Sequence, residues 1–307
     1  MDRRGRARRS TCLFGERSVS LHDTHHAHGG HRHHDDHDDF GGLQRDLLAT
    51  RTAMNRRGLF GLVAGFGLGV SGLQLLGCGK SAAAPSDTGT TTGGSTSSAC
   101  SRIHEETQGP FPGDGSNGPN VLNQSGVVRA DIRSSFAALS GTANGIPLNI
   151  VLTIVSATTC SPLAGRAVYI WQCDREGRYS LYSTGVTNQN YLRGVQEADA
   201  SGRVTFTSIY PGCYSGRWPH IHFEVYPSLT AATNVANKIA TSQIALTKES
   251  SDVVYATSGY EASVTNLSRV SLASDMVFSD GSALELATMT GSVASGLTAT
   301  LTVAVNG

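Results

Sequence analysis

The run Trp218-Pro219-His220-Ile221-His222-Phe223-Glu224-Val225 sets two imidazoles two positions apart among β-forming residues. Successive side chains of a strand point to opposite faces, so His220, His222 and Glu224 project together while Ile221, Phe223 and Val225 face a core. Two imidazoles on one face can share a metal. The His-x-His pattern does not by itself choose which: zinc and ferrous sites use it too, and a carboxylate such as Glu224 would complete either. Other groups able to do chemistry lie nearby in Tyr210-Pro211-Gly212-Cys213-Tyr214-Ser215-Gly216-Arg217 and in Trp171-Gln172-Cys173-Asp174-Arg175-Glu176-Gly177-Arg178-Tyr179. Taken singly, Tyr179 reads as a strand tyrosine, Arg217 as a surface cation and Trp171 as a core residue.

The elements that would position these groups are short. Ile146 to Val155, Ala167 to Gln172, Arg203 to Ile209 and Ile221 to Val225 alternate or are β-branched, and Asp174 to Gly177 and Asp199 to Gly202 supply turn chemistry. Ser263 to Val305 repeats the theme with Val, Thr and Leu punctuated by glycine, and no long stretch holds a helical period. This spacing predicts an all-β domain, an antiparallel β-sandwich with long loops, over residues 100–307. Such a sandwich can also be a non-catalytic surface binding module. Cys100, Cys160, Cys173 and Cys213 fall inside it, and four cysteines in an exported protein allow three disulfide pairings or free buried thiols.

With 24 basic and 24 acidic residues the formal net charge is zero, which provides no bulk attraction to nucleic acid. Eight histidines, His22, His25, His26, His28, His31, His33, His34 and His37, crowd one tract without apolar periodicity, a compositional signal rather than a built site. His104, His220 and His222 are the ones that remain.

Met54-Asn55-Arg56-Arg57, an apolar glycine-rich run from Leu59 to Leu76, and Gly77-Cys78 have the layout of an export signal over residues 54–78. The arginine pair resembles a twin-arginine signal, with Leu59-Phe60 reversing the usual order. Leu75-Leu76-Gly77-Cys78 resembles a bacterial lipobox that would lipidate Cys78. Translation is expected to start at Met54, leaving residues 1–53 as a disordered upstream extension. Residues 79–99, rich in Ser, Thr, Gly and Ala, read as a flexible linker. The expected location is exported and lipid-anchored to a bacterial membrane, on its periplasmic or cell-surface face.

Further motifs stand in order around the histidines: Thr107-Gln108-Gly109-Pro110-Phe111, Leu192-Arg193-Gly194, Gly202-Arg203-Val204-Thr205-Phe206 and Thr241-Ser242-Gln243. Together with the Tyr179, Pro-Gly-x-Tyr and His-x-His motifs, this order from about Cys100 onward resembles the intradiol ring-cleavage dioxygenases, a family that includes protocatechuate and catechol dioxygenases. The resemblance implies Fe(III) held by Tyr179, Tyr214, His220 and His222, with Tyr214 detaching as internal base. Arg217 would support the activated substrate, Gln243 would belong to the same pocket, and Gly109 and Pro110 would line the substrate cavity. The implied reaction takes a catechol-type ring and O2 and opens the bond between the two hydroxylated carbons, giving a muconate-type diacid. Phenolate is a hard donor that favours ferric iron. Two phenolates and one hydroxide cancel its charge, and a neutral centre suits a partly dry pocket. The chain departs from the pattern in a shorter loop between Tyr214 and His220, in Gly216 where a bulky tryptophan is common, and in Pro112 where an aromatic residue is common. These changes bear on which catechol is taken. The absence of a helical dimerisation segment before the domain is similar to the short exported members.

Overall fold

A computed structural model describes residues 100–307. The histidine tract, the export signal, Cys78 and the linker lie outside the described residues.

Two four-stranded sheets form the domain, ordered β4-β1-β8-β7 and β3-β2-β5-β6. The strands are β1 (Pro147–Ser156), β2 (Ala167–Trp171), β3 (Arg193–Glu197), β4 (Arg203–Ile209), β5 (His220–Tyr226), β6 (Ala240–Ala245), β7 (Thr288–Ser292) and β8 (Gly296–Val305). The expected β-sandwich is thus present. Its strand pairs are antiparallel apart from β1 with β8, which run side by side in the same direction because a long crossover returns the chain to β8. Leu148, Ile150, Leu152 and Ile154 of β1 meet Val168 and Ile170 of β2 and Ile221, Phe223 and Val225 of β5 in the inter-sheet core.

The second sheet is covered on both faces. β2, β5 and β6 are buried along their whole lengths, because loops carrying Phe111, Val121, Leu122, Val127 and Phe136 pack against Tyr169, Trp171 and Tyr226 on its outer side. A strand buried on both faces can hold polar groups only where they find partners. That outer layer is where His220 and His222 point.

The expected turns form for a local reason: Asp174 accepts the backbone N–H groups of Glu176 and Arg178, and Asp199 those of Ser201 and Arg203. Two short helices, Lys248–Tyr255 and Glu261–Leu267, follow β6. Of the possible pairings, Cys100–Cys160 is the disulfide, while Cys173 and Cys213 are free and buried. Burial pushes the Cys213 thiol up to about 12 and the Cys173 thiol well above its ordinary value, so both are inert apolar groups. No helix among the described residues is long and apolar enough to cross a membrane.

Candidate metal centre

β5 carries both imidazoles, and its neighbours hold them in place. Trp171 lies opposite His222 on one side and Gln243 on the other. The Trp171 ring stacks on the His222 imidazole, centroids 4.9 Å apart and planes within 4°. His220 donates from Nδ1 to the Trp218 carbonyl at 2.5 Å, the tautomer that leaves a lone pair on Nε2.

The two tyrosines arrive on loops that touch through glycine. Gly212 N–H donates to the Asp174 carbonyl, and a Cβ at Gly212 would sit 2.5 Å from the Arg175 carbonyl oxygen. Gly177 has φ +84°, and a Cβ there would press on Tyr214 Cβ at 3.1 Å. Side chains at either position would push the turn at 174–177 away from the loop at 211–216, and Tyr179 away from Tyr214 with it. Tyr179 is buried and fixed: its N–H donates to Ser183 Oγ, and its ring packs against Phe111 at 4.9 Å. Tyr214 is only partly buried.

The polar ends of all four side chains converge. Tyr179 Oη lies 3.4 Å from His220 Nε2 and 3.2 Å from His222 Nε2, Tyr214 Oη lies 3.2 Å from His220 Nε2, and the two Nε2 atoms are 3.1 Å apart. Ligands bound at about 2.0–2.2 Å to one ion, at angles of roughly 90–110°, are separated by about 2.8–3.6 Å. The observed spacing therefore fits four donors around one metal. Burial, reinforced by the Arg217 charge, holds the His220 pKa well below its ordinary value; for His222 the causes are burial, then His220, Arg217 and Arg193. Both imidazoles are neutral at pH 7, the form a metal requires.

Arg217 is fully buried beside this cluster. Its Nε donates to Asp275 Oδ2 at 3.0 Å and its Nη2 to Gln243 Oε1 at 2.7 Å, while Gln243 Nε2 donates to the Thr107 carbonyl at 2.8 Å. Asp275 also accepts the N–H groups of Trp218, Val277 and Phe278. Gly109 and Pro110 lie between Thr107, at the Gln243 end, and Phe111, at the Tyr179 end. Gly109 takes φ +67° with its N–H on Thr107 Oγ1.

Residues 130–228 match a family model described as "Dioxygenase". An intradiol ring-cleavage dioxygenase from Tetranychus urticae superposes with a TM-score of 0.53 at 26% identity, covering 67% of this chain and 95% of that one. Another dioxygenase crystal structure gives 0.53 at 28% identity, with the same 67% and 95% coverage. In this segment and in its fold the chain is similar to intradiol ring-cleavage dioxygenases. No curated protein matches the chain. The matched segment contains Tyr179, Tyr214, Arg217, His220 and His222, whereas Gly109, Pro110 and Gln243 fall outside it.

Three features of the site were not foreseen from sequence. Asp275, far along the chain, is the anion of a fully buried pair with Arg217. Trp171 is both core residue and stacking partner of a histidine. Arg193 is a buried clamp that donates to the Phe111 and Pro112 carbonyls and to Ser180, tying the Gly109–Pro112 segment to the residue next to Tyr179. The Leu192-Arg193-Gly194 motif was the available signal for the last. Glu224, the carboxylate that would complete a zinc or ferrous site, is committed elsewhere: its oxygens accept from Tyr226 Oη at 2.6 Å and Lys238 Nζ at 2.8 Å.

Proposed function

We propose that this chain is a non-haem Fe(III) dioxygenase that opens a catechol-type ring between its two hydroxylated carbons with O2, giving a muconate-type diacid. The observation that carries this reading is the convergence of two phenol oxygens and two neutral imidazoles at spacings of 3.1–3.4 Å. Two hard anionic oxygens and two nitrogens suit ferric iron better than a soft metal. When bound, iron supplies a Lewis-acidic, redox-active centre that draws electron density from a chelated catecholate.

The protein's own groups do the rest. Tyr214, on a loop and partly exposed, would be the phenol that accepts one substrate proton, while Tyr179, held by Ser183 and Phe111, would remain in place. Arg217 offers a fixed cation to negative charge developing on the ring oxygens, and it needs no reorganisation because Asp275 and Gln243 hold it. Gly109 and Pro110 present backbone and a small ring, rather than bulk, to the substrate. The covered outer face of the second sheet keeps bulk water from the reacting carbons.

The same proposal includes export and lipid anchoring at Cys78, supported by the Arg-Arg pair, the apolar run and Leu-Leu-Gly-Cys. Palmitate labelling that disappears in Cys78→Ser tests it. The enzyme reading is tested by loading purified protein with iron, recording the visible spectrum, and adding a panel of catechols under ¹⁸O2. A red-brown protein yielding diacids with two ¹⁸O atoms is expected. A colourless iron-loaded protein, or products without ¹⁸O, overturns it.

A further inference from the structure

A second group of metal-ligating side chains lies apart from the His220–His222 cluster. His104, Glu106 and Glu285 each offer one ligand atom, all within 4.8 Å of one another. They come from different parts of the chain. His104 and Glu106 sit on an extended segment whose backbone is tied to β8 by Ile103 N–H to Ala304 O and to β6 by Glu106 N–H to Thr241 O. Glu285 sits in the turn before β7, where its carbonyl accepts Ala245 N–H from the end of β6.

Glu285 makes this more than a cluster of charges. It is fully buried, and neither carboxylate oxygen has a hydrogen-bond partner. Ser242 Oγ is near enough to favour the ionised form but does not reach hydrogen-bond geometry. His104 Nδ1 approaches Glu285 Oε1 only to 3.7 Å, and it too is buried without a hydrogen-bond partner. An unsatisfied buried carboxylate costs folding free energy, so it calls for a ligand of opposite charge.

We propose that His104, Glu106 and Glu285 bind one divalent transition metal of the zinc type, separate from the iron centre. Two carboxylates cancel the two positive charges, and a neutral imidazole supplies the nitrogen that favours such a metal over calcium or magnesium. The His104 side chain is 38% exposed, which gives the ion a route in and leaves a coordination position for water. Metal there staples the 103–107 segment to β6 and to the turn before β7. The staple also steadies Thr107, whose carbonyl holds Gln243. Metal uptake requires its ligands deprotonated, so binding strengthens as pH rises.

The competing use of the same atoms is a proton shared by Glu106 and Glu285. To separate the two, full-length protein and its His104→Ala and Glu285→Gln variants are equilibrated with ZnCl2 at pH 8, gel-filtered, and assayed for zinc by mass spectrometry. Zinc retained by the histidine tract or by His220 and His222 is common to all three and cancels in the difference. Wild type should keep one more equivalent than either variant, and zinc should raise its melting temperature above theirs. His104 is partly exposed, so its removal leaves the fold intact even where that of Glu285 does not. Equal zinc counts in wild type and His104→Ala overturn the proposal.

Discussion

Asp275→Asn is the most exacting perturbation of the site, because it changes one charge and almost no volume. Asp275 and Arg217 are both fully shielded from water, and Asp275 is the carboxylate paired with the guanidinium. Removing one partner of such a pair strands the other charge and costs about 3–5 kcal/mol. Gln243 Oε1 remains as a neutral acceptor for Arg217 Nη2, which places the expected loss at the lower end, about 3 kcal/mol. With a urea m-value of about 2–3 kcal/mol/M for a domain of this size, the denaturation midpoint falls by about 1–1.5 M. Urea titration of the metal-free protein by tryptophan fluorescence reads the unfolding, since Trp218 is buried beside the pair with its backbone N–H on the same carboxylate and its indole N–H on the Leu246 carbonyl. The double variant Arg217→Met/Asp275→Asn, which removes the stranded charge and keeps the same side chain facing the backbone N–H groups of Trp218, Val277 and Phe278, should recover a substantial part of the loss. A single-variant midpoint within about 0.3 M of wild type, or a double variant worse than the single, refutes the view that the pair is held by its charge balance.

Other outcomes follow from the same geometry. Tyr214→Phe should lower turnover by about 10²–10⁴-fold, the range for removing a general base, with iron still bound, whereas His222→Ala should lose iron itself; turnover with catechol and iron content by mass spectrometry separate the two. Opening the Cys100–Cys160 bond, which closes a loop with sequence separation 60, should cost about 2–4 kcal/mol, measured as a lower urea midpoint in dithiothreitol or in Cys160→Ser. Gly212→Ala should separate the two tyrosine-bearing loops and bleach the visible band of the iron-loaded protein more than it lowers the melting temperature. The Asp199 carboxyl lies below its ordinary value because Ser201 Oγ and the Arg203 N–H donate to it. Its contribution is present above the unfolded value near pH 4 and lost as pH falls through the lower folded value. Melting temperatures of Asp199→Asn should therefore vary less than wild type between pH 5 and pH 2.5.

The strands of the sandwich were legible because β-branched runs and aspartate turns act locally, and β1, β2, β4 and β5 fall where the alternation placed them. β3 and β6 were not, since neither Arg193-Gly194-Val195-Gln196-Glu197 nor Ala240-Thr241-Ser242-Gln243-Ile244-Ala245 shows a clear apolar period. Burial of the second sheet on both faces explains this. Its outer positions need not be apolar once loops cover them, and in β6 they carry groups such as Gln243 that find partners in the loops. The histidine pair was visible for the opposite reason, as two imidazoles on the polar face of a strand whose other face is apolar. What brings the tyrosines to them was not visible, because it depends on two glycines from separate loops approaching within a backbone's width.

That contact also explains how donors from separate elements reach one point. His220 and His222 are set by sheet register, which a one-residue slip would turn to the other face, so their position is as rigid as the sandwich itself. Tyr179 and Tyr214 depend instead on the turn at 174–177, where Asp174 accepts the Glu176 and Arg178 N–H groups while its carbonyl accepts from Gly212. One aspartate thus shapes the turn that carries one phenol and docks the loop that carries the other. An Asp174→Ala variant should consequently keep both imidazoles in register yet lose the paired phenols. Iron-loaded, it should retain weak metal binding through nitrogen while the visible absorption collapses; a variant that keeps wild-type colour would show that the loops are aligned by something other than this turn.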